Sequence, residues 1–159
     1  MTTENRTEVI GVDQSGMTRA EIEALFAIRQ RAYDSLDAAT LASHYSDDAV
    51  IESPISGRHG KAEAQQNLAG VFRTFLDIKM RTDALMIDGG CVTHVLLMEG
   101  TNLGGMFGLL PSGKSFKLPG VFLYEMVGGK IIRERRVYDF TGLLVQVGVL
   151  QARPAEPLA

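Results

Sequence analysis

The sequence predicts an α+β domain, with helices gathered in its first half and a hairpin-linked antiparallel sheet in its second. Three observations carry this. Apolar residues recur at three- and four-residue spacing as far as Phe75, and after Asp77 the period shifts to two. Glycine-rich turns then separate four long alternating segments, with Asp88-Gly89-Gly90 and Gly128-Gly129 at hairpin positions. The third is size: 159 residues, 45% hydrophobic and 22% charged, suit one globular core and exclude disorder for the bulk of the chain.

Residues 1–16 are polar, show no apolar period and are expected to form a flexible arm, with a single domain over 17–151 and a tail over 152–159. Thr18 followed by Glu21 makes a Thr-x-x-Glu capping box, and Ile22, Leu25, Phe26, Ile28, Ala32, Tyr33 and Leu36 continue an amphipathic helix of about five turns. Asp37 is placed to cap a short second helix carrying Leu41, His44 and Tyr45. Ala49 to Ser53 reads as a short strand stopped by Pro54, and Gly57 to Gly60 as a turn that leaves His59 exposed. A third helix follows from Lys61 to Phe75, with Leu68, Val71, Phe72 and Phe75 on its apolar side. Strands are expected over Ile78–Met86, Cys91–Thr101, Ser115–Met126 and Lys130–Tyr138, and Asp139 then opens a terminal helix bearing Leu143, Leu144 and Val147.

Composition narrows the function. Sixteen Lys+Arg against nineteen Asp+Glu give a net charge of −3, and the only basic cluster is Arg133, Arg135 and Arg136, so neither nucleic acid nor an anionic membrane is an expected partner. One cysteine, Cys91, and three histidines provide no metal-ligand spacing. The N-terminal residues lack the apolar stretch of a signal peptide and no apolar run approaches the ~20 residues of a membrane span, which gives a cytoplasmic expectation.

Both faces of the expected strands are largely apolar: Val92, His94, Leu96 and Met98 alternate with Thr93, Val95 and Leu97. A sheet covered by helices on one side only should be polar on the other. The uncovered face is therefore expected to meet a second copy of the chain across a two-fold axis, through residues such as Val95, Leu97 and Leu123.

Four segments in order, Asp47–Pro54, Leu110–Lys114, Gly129–Ile132 and Asp139–Gly148, resemble the SnoaL-like polyketide cyclases, over about Thr18 to Gly148. These share the cone-shaped fold of nuclear transport factor two with ketosteroid isomerase and limonene epoxide hydrolase. The resemblance implies a curved antiparallel sheet with helices on its concave face and a deep pocket between them. It also implies acid/base chemistry on an apolar small molecule without metal or organic cofactor. The expected activity is a cyclase, isomerase or lyase acting on a carbonyl-bearing polyketide-, terpenoid- or steroid-like compound; the alternative is a non-catalytic ligand-binding or assembly protein of the same fold.

The resemblance implies losses as well. Where ketosteroid isomerases carry their base and two oxyanion donors, ungapped matching places Ser53, Arg29 and Val121. The limonene epoxide hydrolase Arg-Asp pair falls on Leu96 and Met98, and its second Asp, like the acid/base Asp of SnoaL, falls on Arg136. A delta-isomerase of the ketosteroid type and epoxide hydrolysis by the limonene epoxide hydrolase route are thereby excluded.

The candidates for chemistry are His94, Arg136, Glu134 and Asp139. His94 is either a satisfied core residue or a neutral base. Glu134, Arg136 and Tyr138 share the strand face that the family turns inward. Arg136 is structural if Glu134 or Glu99 pairs with it, and an anion or enolate binder if neither reaches it. Asp139 is read chiefly as a helix cap. Tyr33 is either a plain core residue or the leading hydroxyl candidate for substrate contact, with Ser53, Leu96 and Met98 as further contact candidates. Asn102, Phe122 and Tyr138 complete the expected pocket wall.

Overall fold

A computed structural model describes residues 13–156, so residues 1–12 of the expected arm and 157–159 of the tail lie outside the described residues. Four helices, α1 (Arg19–Asp34), α2 (Ala38–Ser43), α3 (Lys61–Thr74) and α4 (Phe140–Gln146), accompany six strands: β1 (Tyr45–Ser53), β2 (Gly57–His59), β3 (Lys79–Asp88), β4 (Cys91–Thr101), β5 (Ser115–Val127) and β6 (Lys130–Tyr138). The strand order is β2-β1-β6-β5-β4-β3. The sheet is open, and the whole is α+β as the sequence predicts.

Local signals set most boundaries. The Thr18–Glu21 capping box is formed in both directions, satisfying two of the otherwise unpaired amides at the start of α1. Asp37 caps α2 through the Thr40 amide, and Asp139 caps α4 through the Gly142 amide. Gly128 and Gly129, at φ 57° and 78°, make the tight β5–β6 turn that matches strand twist. Gly90 is required for a different reason: a Cβ there would lie 2.7 Å from the Met126 carbonyl oxygen. Asp13–Gly16 close this end of the sheet. The amides of Gly128 and Gly129 donate to the Gln14 and Ser15 carbonyls, and Ser15 is fully buried.

Three expectations need correction. The sheet is mixed: β1 runs parallel to β6, with Ile51 opposite Glu134. A parallel neighbour needs a long crossover, and here residues 54–129 supply it. Tyr45 belongs to β1 rather than to α2, because the strand starts four residues earlier than expected and crosses an irregularity between Tyr45 and Val50. His59 is buried, since residues 57–59 form an edge strand in which His59 pairs with Ile51.

The inner face of the sheet and the helices share one core. Ile22, Phe26 and Tyr33 of α1 and Leu68 and Phe72 of α3 pack with Val92, Leu96, Phe122 and Tyr124 of the sheet. A second cluster of Phe75, Met106, Phe116, Leu118, Leu143 and Val147 fills the end beneath α4. The alternation expected for β4 holds, with Val92, His94 and Leu96 buried on the inner face.

Candidate functional site

At one end of the interior lies a charged cluster within the apolar core. Glu134 is fully buried on β6, and its carboxylate accepts from Arg136 Nε at 2.6 Å and from the Tyr45 hydroxyl. A second guanidinium, Arg29 of α1, stands 3.8 Å from the same carboxylate and donates to the Leu41 carbonyl at 3.1 Å. Arg29 also lies over the rings of Tyr45 and Tyr124, 5.4 Å from each centroid, an attraction strengthened by desolvation. Burial would raise the pKa of Glu134, but the guanidiniums of Arg136 and then Arg29, with the two hydrogen bonds, hold it below the ordinary carboxylate value. Glu134 therefore stays ionised and is a weak base.

Next to this cluster is a partly open cavity of about 70 Å³. Phe72, Phe75, Met98, Phe116, Leu118, Phe122 and Leu143 supply most of its wall; its polar wall groups are Arg136, Tyr33 and Tyr138. Arg136 spends Nε on Glu134 and reaches the Tyr45 oxygen from Nη2 at 3.5 Å, while Nη1 makes no hydrogen bond among the described residues. The Tyr138 hydroxyl lies 3.1 Å from that of Ser53. Burial raises the pKa of Tyr33, so its hydroxyl is a neutral donor. All three polar groups can thus donate to an oxygen in the cavity. Ile55, Val71 and Phe75 also wall an adjoining outer groove of about 640 Å³ reaching Gly104–Phe107. A larger furrow of about 930 Å³ between α1 and β3 is an open surface feature without these donors.

His94 lies deeper, edge-on to Phe26 and Phe122. Its tautomer follows from its neighbours. The Gln30 side-chain amide donates to the Met80 carbonyl at 2.6 Å, which turns its oxygen towards Thr82. The Thr82 hydroxyl donates to that oxygen and so accepts at 2.8 Å from His94 Nε2–H. Nδ1 is left as a buried lone pair without a partner. Burial first, and the charge of Arg29 second, push the His94 pKa down to about 4, so the ring is neutral at pH 7.

Tyr33, Met98, Phe122, Arg136 and Tyr138 thus meet at one cavity, with Ser53 bonded to Tyr138. The other candidates stand apart from its wall. Leu96 is core. Asn102 is buried but accepts from the Gly105 amide, tying down the loop after β4. Asp139 is exposed and engaged as a cap, and Glu99 pairs with Lys117 rather than Arg136. Val121 lies opposite Val137 on the outer face, so a donor matched to that position would face away from the cavity. Of the alternatives for Arg136, the condition for a structural arginine is the one met, since Glu134 pairs with it; the same carboxylate is shared with Arg29.

Sequence reading missed the roles of Arg29, Tyr45 and Tyr124. Arg29 left a trace, being a cation within the apolar stripe of α1, seven residues after Ile22 and three after Phe26. Among the described residues no group of three or more His, Cys, Asp or Glu side chains could hold a metal ion, and no helix is long and apolar enough to cross a membrane.

The fold is shared with solved structures. AclR of Streptomyces galilaeus superposes with a TM-score of 0.75 at 24% identity, over 86% of this chain and 87% of that one. TsrD of Streptomyces laurentii gives 0.74 at 21% identity, over 84% and 99%. A SnoaL-like protein of Jannaschia sp. CCS1 gives 0.71 at 18% identity, over 89% and 100%. A search of curated sequences gave no significant match. The family profile of the SnoaL-like polyketide cyclases matches residues 25–147, which covers both the cavity and the charged cluster, and the chain belongs to that family.

Proposed function

We propose that the protein is a cofactor-free cyclase that closes a ring in an apolar poly-carbonyl substrate by stabilising oxyanion character rather than by using a carboxylate base. The observation that carries this reading is a cavity wall whose polar groups, Arg136, Tyr33 and Tyr138, can all donate and include no carboxylate. Poly-β-ketones enolise readily without a strong base. In the step envisaged, the enol carbon forms a bond to a carbonyl carbon; that carbonyl oxygen takes up the electron pair and is met by the donors, while the enol proton is passed to it. Donors fixed in a water-poor pocket stabilise such an oxygen far more than donors in water. Isomerase or lyase chemistry through the same oxyanion would use the same groups.

The test is ring closure of a synthetic aryl 1,3,5-triketone, followed by absorbance. The wild type should accelerate closure, and Arg136→Met should lower the rate ~10²–10³-fold, the scale of losing one preorganised donor. Tight binding without acceleration would instead favour a ligand-binding protein, a reading supported by the lack of any carboxylate on the cavity wall.

We also propose that the outer sheet face pairs two copies of the chain. Leu123 and Val137 are exposed there beside half-buried Val95, Leu97 and Val121. Sedimentation should give a dimer at micromolar concentration. Val95→Lys should weaken it by ~3–5 kcal/mol if the new charge is fully desolvated. A cytoplasmic location remains part of the proposal.

A further inference from the structure

We infer that the ligand of the cavity is an apolar monoanion, a carboxylate or a stable enolate, because the buried charges leave one positive charge that the protein itself does not balance. This rests on the apolar-cavity reading above and specifies its ligand class. Arg29 and Arg136 face the single carboxylate of Glu134. Tyr45, Tyr124, Tyr33, His94 and His44, which lie around them, are neutral at pH 7. Burial, then Glu134, raises the pKa of Tyr45 and of Tyr124, and burial raises that of Tyr33. His94 and His44 are pushed down to about 4, burial being the first cause and Arg29 the second in each. No carboxylate other than Glu134 bonds to either guanidinium among the described residues.

The surplus has a place to be neutralised. Arg29 is buried and its Nη2 has no hydrogen-bond partner, but the cavity wall does not include it. Arg136 is on that wall and has Nη1 to spare. A monoanion whose charged end meets Arg136, with its apolar body extending past Phe75 toward the groove, would balance the cluster without displacing Glu134. A neutral ligand would leave the surplus in place. The predicted preference depends on the net charge of the cluster, so Arg29 should matter although it lies off the wall.

The probes are benzoate and its neutral isostere benzamide, titrated at pH 7.5 and low salt by NMR and by thermal shift. The wild type should bind benzoate at least tenfold more tightly, the scale of one charge-assisted hydrogen bond. That ratio should fall towards one in Arg136→Met and fall several-fold in Arg29→Met, both of which leave a balanced pair. It should rise in Glu134→Gln, which adds to the surplus. A wild-type ratio near one overturns the inference while leaving the apolar cavity intact; binding of neither probe overturns both. Loss of preference in Arg136→Met with none in Arg29→Met also overturns it, by reducing the effect to local contact. Should Glu134→Gln not fold, Arg29→Met still decides the sign.

Discussion

The two ends of the interior are stabilised by different physics. Around Leu118 and Leu143 the core is apolar, and its stability follows from area removed from water and close packing. Around Glu134 one carboxylate serves two guanidiniums and a phenol, with His94 and Thr82 in hydrogen-bond contact nearby. The apolar end tolerates substitutions that conserve volume. The charged end does not, because removing Glu134 leaves two buried guanidiniums without a carboxylate. The cavity lies where the two meet, which allows one ligand to bury an apolar body and present an oxygen to Arg136.

The sharpest way to separate the ends is to remove Glu134. Glu134→Leu should cost ~3–5 kcal/mol, the scale of breaking a buried pair, although leucine is a good core residue. Urea denaturation would measure it. A cost near zero would show that water reaches the two arginines and that the charged end is not a dry core. The matched change at the apolar end is Leu118→Ala, expected to cost ~2–5 kcal/mol by transfer and cavity terms. Because Leu118 already borders the cavity, this variant should also bind larger apolar ligands, as a competition titration would reveal.

The charged end should also carry a pH signature that the apolar end lacks. His94 and His44 have folded pKa values near 4, below their ordinary 6.5, through burial and then Arg29. Between those values the unfolded state binds more protons than the folded one, so stability is fully present above pH 6.5 and falls as the pH drops towards 4. Each histidine can contribute up to about 1.4 kcal/mol per pH unit within that window. Melting temperature against pH should flatten in His94→Gln and stay as steep as in the parent in Leu118→Ala. An unchanged slope in His94→Gln would mean that His94 takes up a proton in the folded state more easily than its surroundings suggest.

The two ends also differ in how far they could be read from the sequence. The apolar end was legible: period, caps and hairpin glycines are local signals, and they placed α3, the four long strands and the inward parity of Met98, Phe122 and Arg136. What escaped depends on contacts far apart in the chain. Tyr45 and Glu134 are 89 residues apart and meet only because β1 lies parallel to β6. A parallel edge leaves no turn to announce it. The charge balance escaped for the same reason, since the partners of Glu134 come from α1, β1 and β6. Val121 shows the converse risk, because matching without the hairpin register turned an outward residue inward.

Asp139 gives the smallest and most discriminating prediction, because it lies at the junction of β6 with α4, close in sequence to the site yet engaged elsewhere. Its Oδ1 accepts from the Gly142 amide at 2.8 Å, and the residue is exposed at the start of α4. Asn has a side-chain oxygen of the same reach, so Asp139→Asn should leave the melting temperature almost unchanged, whereas Asp139→Ala should cost ~0.5–2 kcal/mol by losing the cap. Neither should change the ring-closure rate beyond what any loss of folded protein explains, since Tyr138, the last cavity-lining residue of β6, is anchored separately to Ser53. If Asp139→Asn melts as the parent does but loses turnover, the proton-active group has been Asp139, and the oxyanion reading of the cavity gives way to carboxylate acid/base chemistry at its rim.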